Sequence, residues 1–122
     1  MIAREKLATA RIPGGDELTL YRHDKDHMIV LGHNELMSTR KWGSEEALAT
    51  MAIEKISNAK QPSLLIGGYG MGFTLRAALK ALPADAHVTV VELMPEIIEW
   101  ARGPMAELTA GCLDDPRVTL VQ

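Results

Sequence analysis

Three glycines at alternate positions and one later glutamate are the residues whose types and spacing could do chemistry. Gly68, Gly70 and Gly72 form a GxGxG loop, and Glu92 lies 20 residues after Gly72. A glycine loop that joins a strand to a helix presents backbone N–H groups and the positive helix end to an electron-rich ligand. A carboxylate at the end of the next strand can accept hydrogen bonds from both hydroxyls of a ribose. The combination predicts a nucleotide-binding site.

The residues beside these glycines separate two common kinds of nucleotide loop. The dinucleotide fingerprint GxGxxG, started at Gly68, needs glycine or alanine at the position that Phe73 occupies. The bulky Phe73 side chain disfavours the close strand–helix packing of NAD enzymes, so the methyltransferase-type GxGxG is the better match. An NAD-dependent oxidoreductase stays as a minor alternative. A tight turn that uses glycine for steric reasons alone is the structural alternative.

The elements that must position these residues begin at Pro62, where short apolar runs alternate with helical ones. This alternation is typical of parallel βαβ units. It predicts an incomplete Rossmann-like, methyltransferase-type αβα half over residues 44–122, with parallel strands in the order 3-2-1 and helices on both faces. The predicted strands are 64–67, 87–92 and 118–121, and the predicted helices are about 72–82 and 95–102.

Residues 1–43 are predicted to form a separate N-terminal β-hairpin and linker. An alternating run at 18–22 and an apolar run at 28–31 flank a polar segment of turn-forming residues. Ser44, followed by two glutamates, predicts the start of a helix that runs to about Asn58. Its hydroxyl would cap free N–H groups of the first turn.

The composition excludes several classes of partner. A formal net charge of -3, from 13 basic and 16 acidic residues, indicates neither nucleic-acid nor anionic-membrane binding. No apolar run is long enough for a signal peptide or a membrane span, so a cytoplasmic protein is expected. Cys112 is the single cysteine and the 4 histidines lack a metal-ligand spacing. Neither a disulfide nor a bound metal is therefore expected.

The segment Leu64–Leu82, LLIGGYGMGFTLRAALKAL, resembles the first motif of spermidine synthase-like proteins, within the class I S-adenosylmethionine-dependent methyltransferase superfamily. The upstream segment Glu35–Ala49 is similar to the part of these proteins that joins the N-terminal hairpin to the first helix. The resemblance covers most of the chain, as the N-terminal part of such a protein. It implies a transferase reaction at a sulfonium carbon of S-adenosylmethionine or its decarboxylated form, with methylthioadenosine as a product-like ligand.

Carried over residue by residue, the resemblance assigns ligand contacts to the loop and to the end of the second strand. It implies that the three glycines line the nucleoside and methionine portions and that Glu92 binds the ribose. It also implies that Leu93 and Met94 flank the adenine. Tyr69 lies inside the loop, where a ligand contact and a packing role are equal alternatives. The implied cofactor-binding set is Gly68, Tyr69, Gly70, Gly72, Glu92, Leu93 and Met94.

Two departures from the family pattern count against aminopropyl transfer by these residues alone. Family members carry an acidic residue inside the loop that holds the amine end of the ligand, and Met71 stands there. They also continue beyond the position of Gln122 with an acidic adenine-contacting motif and the strand that carries the catalytic aspartate. The catalytic residues are therefore unknown, and the chain is expected to bind the nucleoside without the catalytic base.

The alternative of a different class is a non-catalytic module that assembles with itself or only binds a nucleoside. A sheet of order 3-2-1 leaves its first, apolar strand as an exposed edge, which proteins normally cover. We expect a second copy to cover it by sheet continuation or segment exchange, which gives a homo-oligomer. Trp42, beside the helix start, is expected to be a packing anchor rather than a group that stacks on adenine.

Overall fold

The computed structural model describes residues 3–40, 43–109 and 111–122. The chain divides in sequence, between residues 42 and 43, into two compact units. Trp42, for which the sequence predicts a packing role, lies outside the described residues. Within the described ranges, no helix is long and apolar enough to cross a membrane.

The first unit is a four-stranded antiparallel sheet, whose strands follow one another in space as they do in sequence. Tight turns join them, and Gly14, Asp24 and Gly32 in these turns have φ angles of 70°, 56° and 59°. Such positive angles are typical of the short turns that connect antiparallel strands. The strands are β1 Glu5–Arg11, β2 Glu17–His23, β3 Asp26–Leu31 and β4 Asn34–Ser38.

The predicted hairpin is confirmed as β2 and β3, but it is only half of this sheet. Leu20 of β2 pairs with Ile29 of β3, and both side chains are fully buried. The prediction missed β1 and β4 because the apolar alternation that marks a strand is weak in both. Gly32 and His33 form the two-residue connection from β3 into β4.

The second unit contains a three-stranded parallel sheet with helices. Its order β5-β6-β7 confirms the predicted 3-2-1 arrangement, since both place the middle strand of the sequence in the centre. Ile66 pairs with Val90, and Val90 pairs with Leu120. The strands are β5 Ser63–Gly67, β6 His87–Val91 and β7 Val118–Val121; the helices are α1 Gly43–Lys55, α2 Phe73–Ala81, α3 Pro95–Arg102 and α4 Ala106–Thr109, followed by a 3₁₀ turn at Cys112–Asp114.

The first helix of this unit differs from its prediction at both ends. It begins at Gly43, one residue before Ser44, and ends at Lys55 rather than near Asn58. The Ser44 hydroxyl donates to the Glu45 carboxylate at 3.1 Å. Because Ser44 already lies inside the helix, the predicted hydroxyl cap is wrong.

The parallel sheet buries one face far more deeply than the other. Side chains alternate between the faces of a strand, and Ile66, Val88 and Val90 on one face are at most 8% exposed. On the opposite face, Leu65 is 70% exposed and Val121 is 44% exposed. The described residues therefore leave one face of this sheet more exposed than the other.

A carboxylate–guanidinium pair closes the turn that leads into β7. Both carboxylate oxygens of Asp115 accept hydrogen bonds from the Arg117 side chain, at 3.0 and 2.9 Å. Another N–H of Arg117 donates to the carbonyl oxygen of Leu82 at 2.9 Å, just after α2. The hydrogen bonds from Arg117 lower the pKa of the Asp115 carboxyl from 3.8 to about 2. This pair therefore contributes to stability in its ionised form.

Replacing Asp115 by asparagine is expected to lower stability at neutral pH and to have little effect at low pH. The pKa of Asp115 is lower in the folded state, so its contribution is fully present above the unfolded value and is lost as the pH falls through about 2. Urea unfolding of D115N and the wild type across this range measures the difference. D85N, at an exposed carboxylate, is the control. A stability difference that does not change with pH would contradict the prediction.

Candidate functional site

The glycine loop connects β5 to α2 at the carboxyl edge of the parallel sheet. All three motif glycines have positive φ angles: 89° at Gly68, 58° at Gly70 and 86° at Gly72. Other residue types adopt such angles only at a cost, so the backbone conformation explains glycine at each position. The N–H of Gly68 donates to the carbonyl oxygen of Val91 at 2.7 Å, which ties the start of the loop to β6.

Gly68 and Gly72 have different surroundings. A Cβ atom added to Gly68 would meet no atom within 4 Å, and this glycine is exposed. A Cβ added to Gly72 would lie 2.6 Å from Cζ of Tyr69 and 2.7 Å from Cγ2 of Thr109. Gly72 is thus required by internal packing, whereas Gly68 leaves open space beside the loop backbone. Of the two, Gly68 is where a ligand can approach.

Glu92 follows β6 directly and is 8% exposed. One carboxylate oxygen accepts a hydrogen bond from the backbone N–H of Tyr69 at 2.8 Å, and the other accepts one from that of Met94 at 3.0 Å. The carboxylate therefore joins the glycine loop to the turn before α3, a role that the sequence reasoning missed. A carboxylate has about four acceptor sites. These backbone groups thus use two of the four.

Leu93 and Met94 form the turn between β6 and α3. Leu93 is 86% exposed, although leucine is a large apolar residue. Met94 is half-buried, and Pro95 after it occupies the first turn of α3, as predicted. Ligand sites combine apolar surface with a few placed polar groups. An exposed leucine beside a buried carboxylate suits a nucleoside, which has an apolar ring face and two ribose hydroxyls.

The side chain of Tyr69 is buried, with 6% of its surface exposed. Its hydroxyl forms a hydrogen bond of 2.9 Å with that of Thr109. Burial raises the pKa of Tyr69, so the phenol is neutral at physiological pH. The structure thus gives Tyr69 a packing contact, one of the two roles that the sequence left open. Thr109 was missed because it belongs to a four-residue helix without a recognisable motif.

A cavity of about 230 Å³ lies between Tyr69, the end of α3 and the 3₁₀ turn. Arg102 and Asp114 at this cavity form an ion pair of 3.0 Å. Burial raises the pKa of the Cys112 thiol, which also lines the cavity, so the thiol is neutral. Among the described lining residues, the charges of Arg102 and Asp114 therefore balance. Over residues 3–40, 43–109 and 111–122, no group of three or more His, Cys, Asp or Glu is placed to hold a metal ion.

Met71, Phe73 and Arg76, which follow the second glycine of the loop, have structural roles. Met71 is 5% exposed and Phe73 is 6% exposed, so both side chains pack inside the unit. The Arg76 guanidinium lies 4.8 Å from the centre of the Phe73 ring and donates to the carbonyl oxygen of Leu108 at 3.0 Å. Phe73 thus fills the position where the dinucleotide fingerprint has a small residue. Met71 presents no side chain at the surface of the loop.

The sequence is similar to that of a polyamine aminopropyltransferase. The chain is 38% identical over 105 residues to the polyamine aminopropyltransferase of Corynebacterium efficiens. The match covers 86% of this chain and 19% of that protein, so the chain spans about a fifth of the length of this relative. No family model matches the chain.

The fold is similar to that of spermidine synthase. The crystal structure of spermidine synthase from Thermotoga maritima matches 95% of this chain and 39% of its own, with a TM-score of 0.72 and 21% identity. A crystal structure of spermidine synthase in complex with the transition state analogue AdoDATO matches with the same TM-score over 40% of its chain. These matches confirm the predicted fold class, an N-terminal antiparallel hairpin sheet followed by an incomplete Rossmann-like half.

Proposed function

Because the chain is spermidine synthase-like in sequence and fold, we propose that its second unit binds the nucleoside of an S-adenosylmethionine-type ligand. The observation that carries this proposal is that Gly68 and Glu92 lie at the same edge of the sheet. Gly68 is open to solvent, and the buried carboxylate of Glu92 keeps acceptor sites after binding two backbone N–H groups. Ligands of open α/β sheets bind at this carboxyl edge.

The proposal also concerns which S-adenosylmethionine-type ligand binds. The relative in Corynebacterium efficiens is a polyamine aminopropyltransferase, which favours decarboxylated S-adenosylmethionine. The methyltransferase-type loop keeps S-adenosylmethionine as the second candidate. Both contain the same adenosine group as methylthioadenosine, so all three ligands would use the contacts at Glu92.

Each part of the ligand has a position in this site. The ribose hydroxyls donate to Glu92, and the adenine lies against Leu93 and Met94. The chain that carries the sulfonium passes over the loop at Gly68 and Gly70. A Cβ at Gly68 would meet no atom within 4 Å, so the ligand can approach the backbone there. Gly72 and Tyr69 support the loop from inside, since both are buried.

The transfer step itself is a nucleophilic attack on a carbon bonded to the sulfonium sulfur, which leaves as part of a neutral thioether. The ligand supplies the leaving group, and the protein supplies positioning. Because Met71 stands where family members carry an acidic residue, this position offers no carboxylate to the amine end of an aminopropyl donor. We therefore assign nucleoside binding to these residues and no catalytic base among the described ones.

Replacing Leu93 by alanine is expected to weaken nucleoside binding about fivefold, which corresponds to about 1 kcal/mol of lost apolar contact. The free energy of unfolding of L93A should stay within about 0.5 kcal/mol of the wild-type value, because the Leu93 side chain is 86% exposed. Calorimetric titration with methylthioadenosine and urea unfolding measure the two effects. L36A, at a leucine of the first unit that is 51% exposed, is the matched control. Unchanged affinity in L93A would place the adenine elsewhere.

Titration of the chain with decarboxylated S-adenosylmethionine, S-adenosylmethionine, methylthioadenosine and NAD separates the proposed function from its alternatives. Heat of binding with a sulfonium ligand or the thioether, and none with NAD, is expected. Binding of NAD alone would favour an oxidoreductase in spite of Phe73. Failure of all four to bind would contradict nucleoside binding and favour the self-assembling module.

A further inference from the structure

Thr109 ends α4 and is 4% exposed, although its side chain is polar. Its hydroxyl forms the 2.9 Å hydrogen bond with the hydroxyl of Tyr69. Binding sites depend on supporting hydrogen bonds of this kind for their geometry. We propose that Thr109 is a positioning residue of the nucleoside site, which acts through Tyr69 on the glycine loop and on the carboxylate of Glu92. This inference rests on the nucleoside binding proposed above.

Tyr69 connects Thr109 to the ligand-binding groups. Its backbone N–H donates to the Glu92 carboxylate at 2.8 Å, and its carbonyl oxygen accepts from the N–H of Gly72 at 2.9 Å. Hydrogen bonds weaken quickly when their distances and angles change. A shift of the Tyr69 side chain would therefore disturb both the turn of the loop and the orientation of the carboxylate.

Packing alone leaves space beside the Tyr69 ring. The ring packs closely against Gly72, where an added Cβ would lie 2.6 Å from Cζ of Tyr69. Tyr69 and Thr109 both also line the cavity of about 230 Å³. Atoms that line a void lack packing partners on that side, so the cavity permits a second position of the ring. The directional hydrogen bond to Thr109 selects the observed one.

A second contact fixes Thr109 relative to the helix that follows the loop. The four residues of α4 are too few to form a stable helix by themselves. Arg76 of α2 donates to the carbonyl oxygen of Leu108, the residue before Thr109, at 3.0 Å. The same guanidinium lies over the ring of Phe73. The Thr109 hydroxyl is thus held in place by α2 and can hold Tyr69 in turn.

Two variants of Thr109 separate positioning from packing. T109V keeps the branched shape and removes the hydroxyl, and it is expected to bind methylthioadenosine about threefold to tenfold more weakly. T109S keeps the hydroxyl and removes the methyl group that packs against Gly72. It is expected to lose stability but to bind as the wild type does. Calorimetric titration and urea unfolding measure both effects. Wild-type affinity in T109V, or an equal loss of affinity in T109S, would overturn the positioning role.

A double variant separates affinity from stability in a second way. In Y69F/T109V both hydroxyls are absent, so no buried polar group is left unpaired and most of the stability lost in T109V should return. The affinity is expected to stay about threefold to tenfold below that of the wild type. T50V, which removes a threonine hydroxyl that donates to a backbone carbonyl in α1, is the control and should bind normally. Recovery of affinity together with stability in the double variant would contradict positioning by this hydrogen bond.

Amide hydrogen exchange, followed by NMR, tests the link to Glu92 without a ligand. The Val88 N–H donates to Arg117 inside the sheet at 2.9 Å and reports the stability of the unit. The ratio of the Tyr69 exchange rate to the Val88 rate is expected to rise about fivefold in T109V, because the loop opens locally. An unchanged ratio would overturn the role of Thr109. A raised ratio in a chain that does not bind methylthioadenosine would contradict the nucleoside site and leave Thr109 as a support of the loop alone.

Discussion

Replacing Gly72 by alanine is expected to lower the free energy of unfolding by about 3 kcal/mol or more. The φ angle of 86° at Gly72 costs about 1–3 kcal/mol for any residue with a Cβ atom. The added methyl group would also overlap Cζ of Tyr69 and Cγ2 of Thr109, at 2.6 and 2.7 Å. Overpacking of this kind costs about 1–3 kcal/mol in addition. Urea unfolding of G72A and the wild type measures the total.

Gly111 provides the matched control for this substitution. Its φ angle of 78° is similar, but a Cβ there would meet no atom within 4 Å. G111A therefore includes the backbone cost without the overlap and is expected to lose about 1–3 kcal/mol. The difference between the two variants isolates the packing of Gly72 against Tyr69. Equal losses would show that the Tyr69 ring moves aside and that Gly72 is not required by packing.

Replacing Glu92 by glutamine is expected to reduce nucleoside affinity about 10-fold to 100-fold, because the ribose loses a charge-assisted hydrogen bond. The variant should also lose about 1–3 kcal/mol of stability. Glutamine has one carbonyl oxygen, so the N–H of either Tyr69 or Met94 would face an amide NH₂ group instead of an acceptor. Calorimetric titration and urea unfolding of the same samples measure both effects.

Glu99 on α3 is the control for the change in charge. E99Q removes one negative charge from an exposed side chain on the helix that follows Glu92, so it should bind and unfold as the wild type does. A loss of stability in E92Q with unchanged affinity would show that Glu92 only tethers the loop. That outcome would contradict the proposed ribose contact.

The position of the glycine loop could be predicted because its constraints are local. The apolar run that becomes β5, the three glycines and the helical pattern that becomes α2 follow one another directly in the sequence. Gly68, Gly70 and Gly72 stand where the backbone takes positive φ angles. Glu92 lies at the end of the next strand, as the alternation of strands and helices predicts.

The sequence did not predict the features that depend on contacts between residues distant in the chain. Tyr69 and Thr109 are separated by 40 residues, and nothing near Thr109 indicates that contact. Both hydrogen bonds of Glu92 go to backbone N–H groups, which every residue except proline has, so the sequence gives no sign of them. The strand β1 is defined by its pairing with β2, since its own residues show little apolar alternation.

Backbone amide NMR of the isotope-labelled chain, titrated with methylthioadenosine, is the most direct test of the nucleoside site. The amide signals of Gly68, Gly70 and Leu93 are predicted to shift most, because the proposed ligand lies over the loop and beside the Glu92 carboxylate. The absence of shifts at high ligand concentration would contradict the site. Shifts confined to Arg102 and Cys112, which line the neighbouring cavity, would contradict it as well.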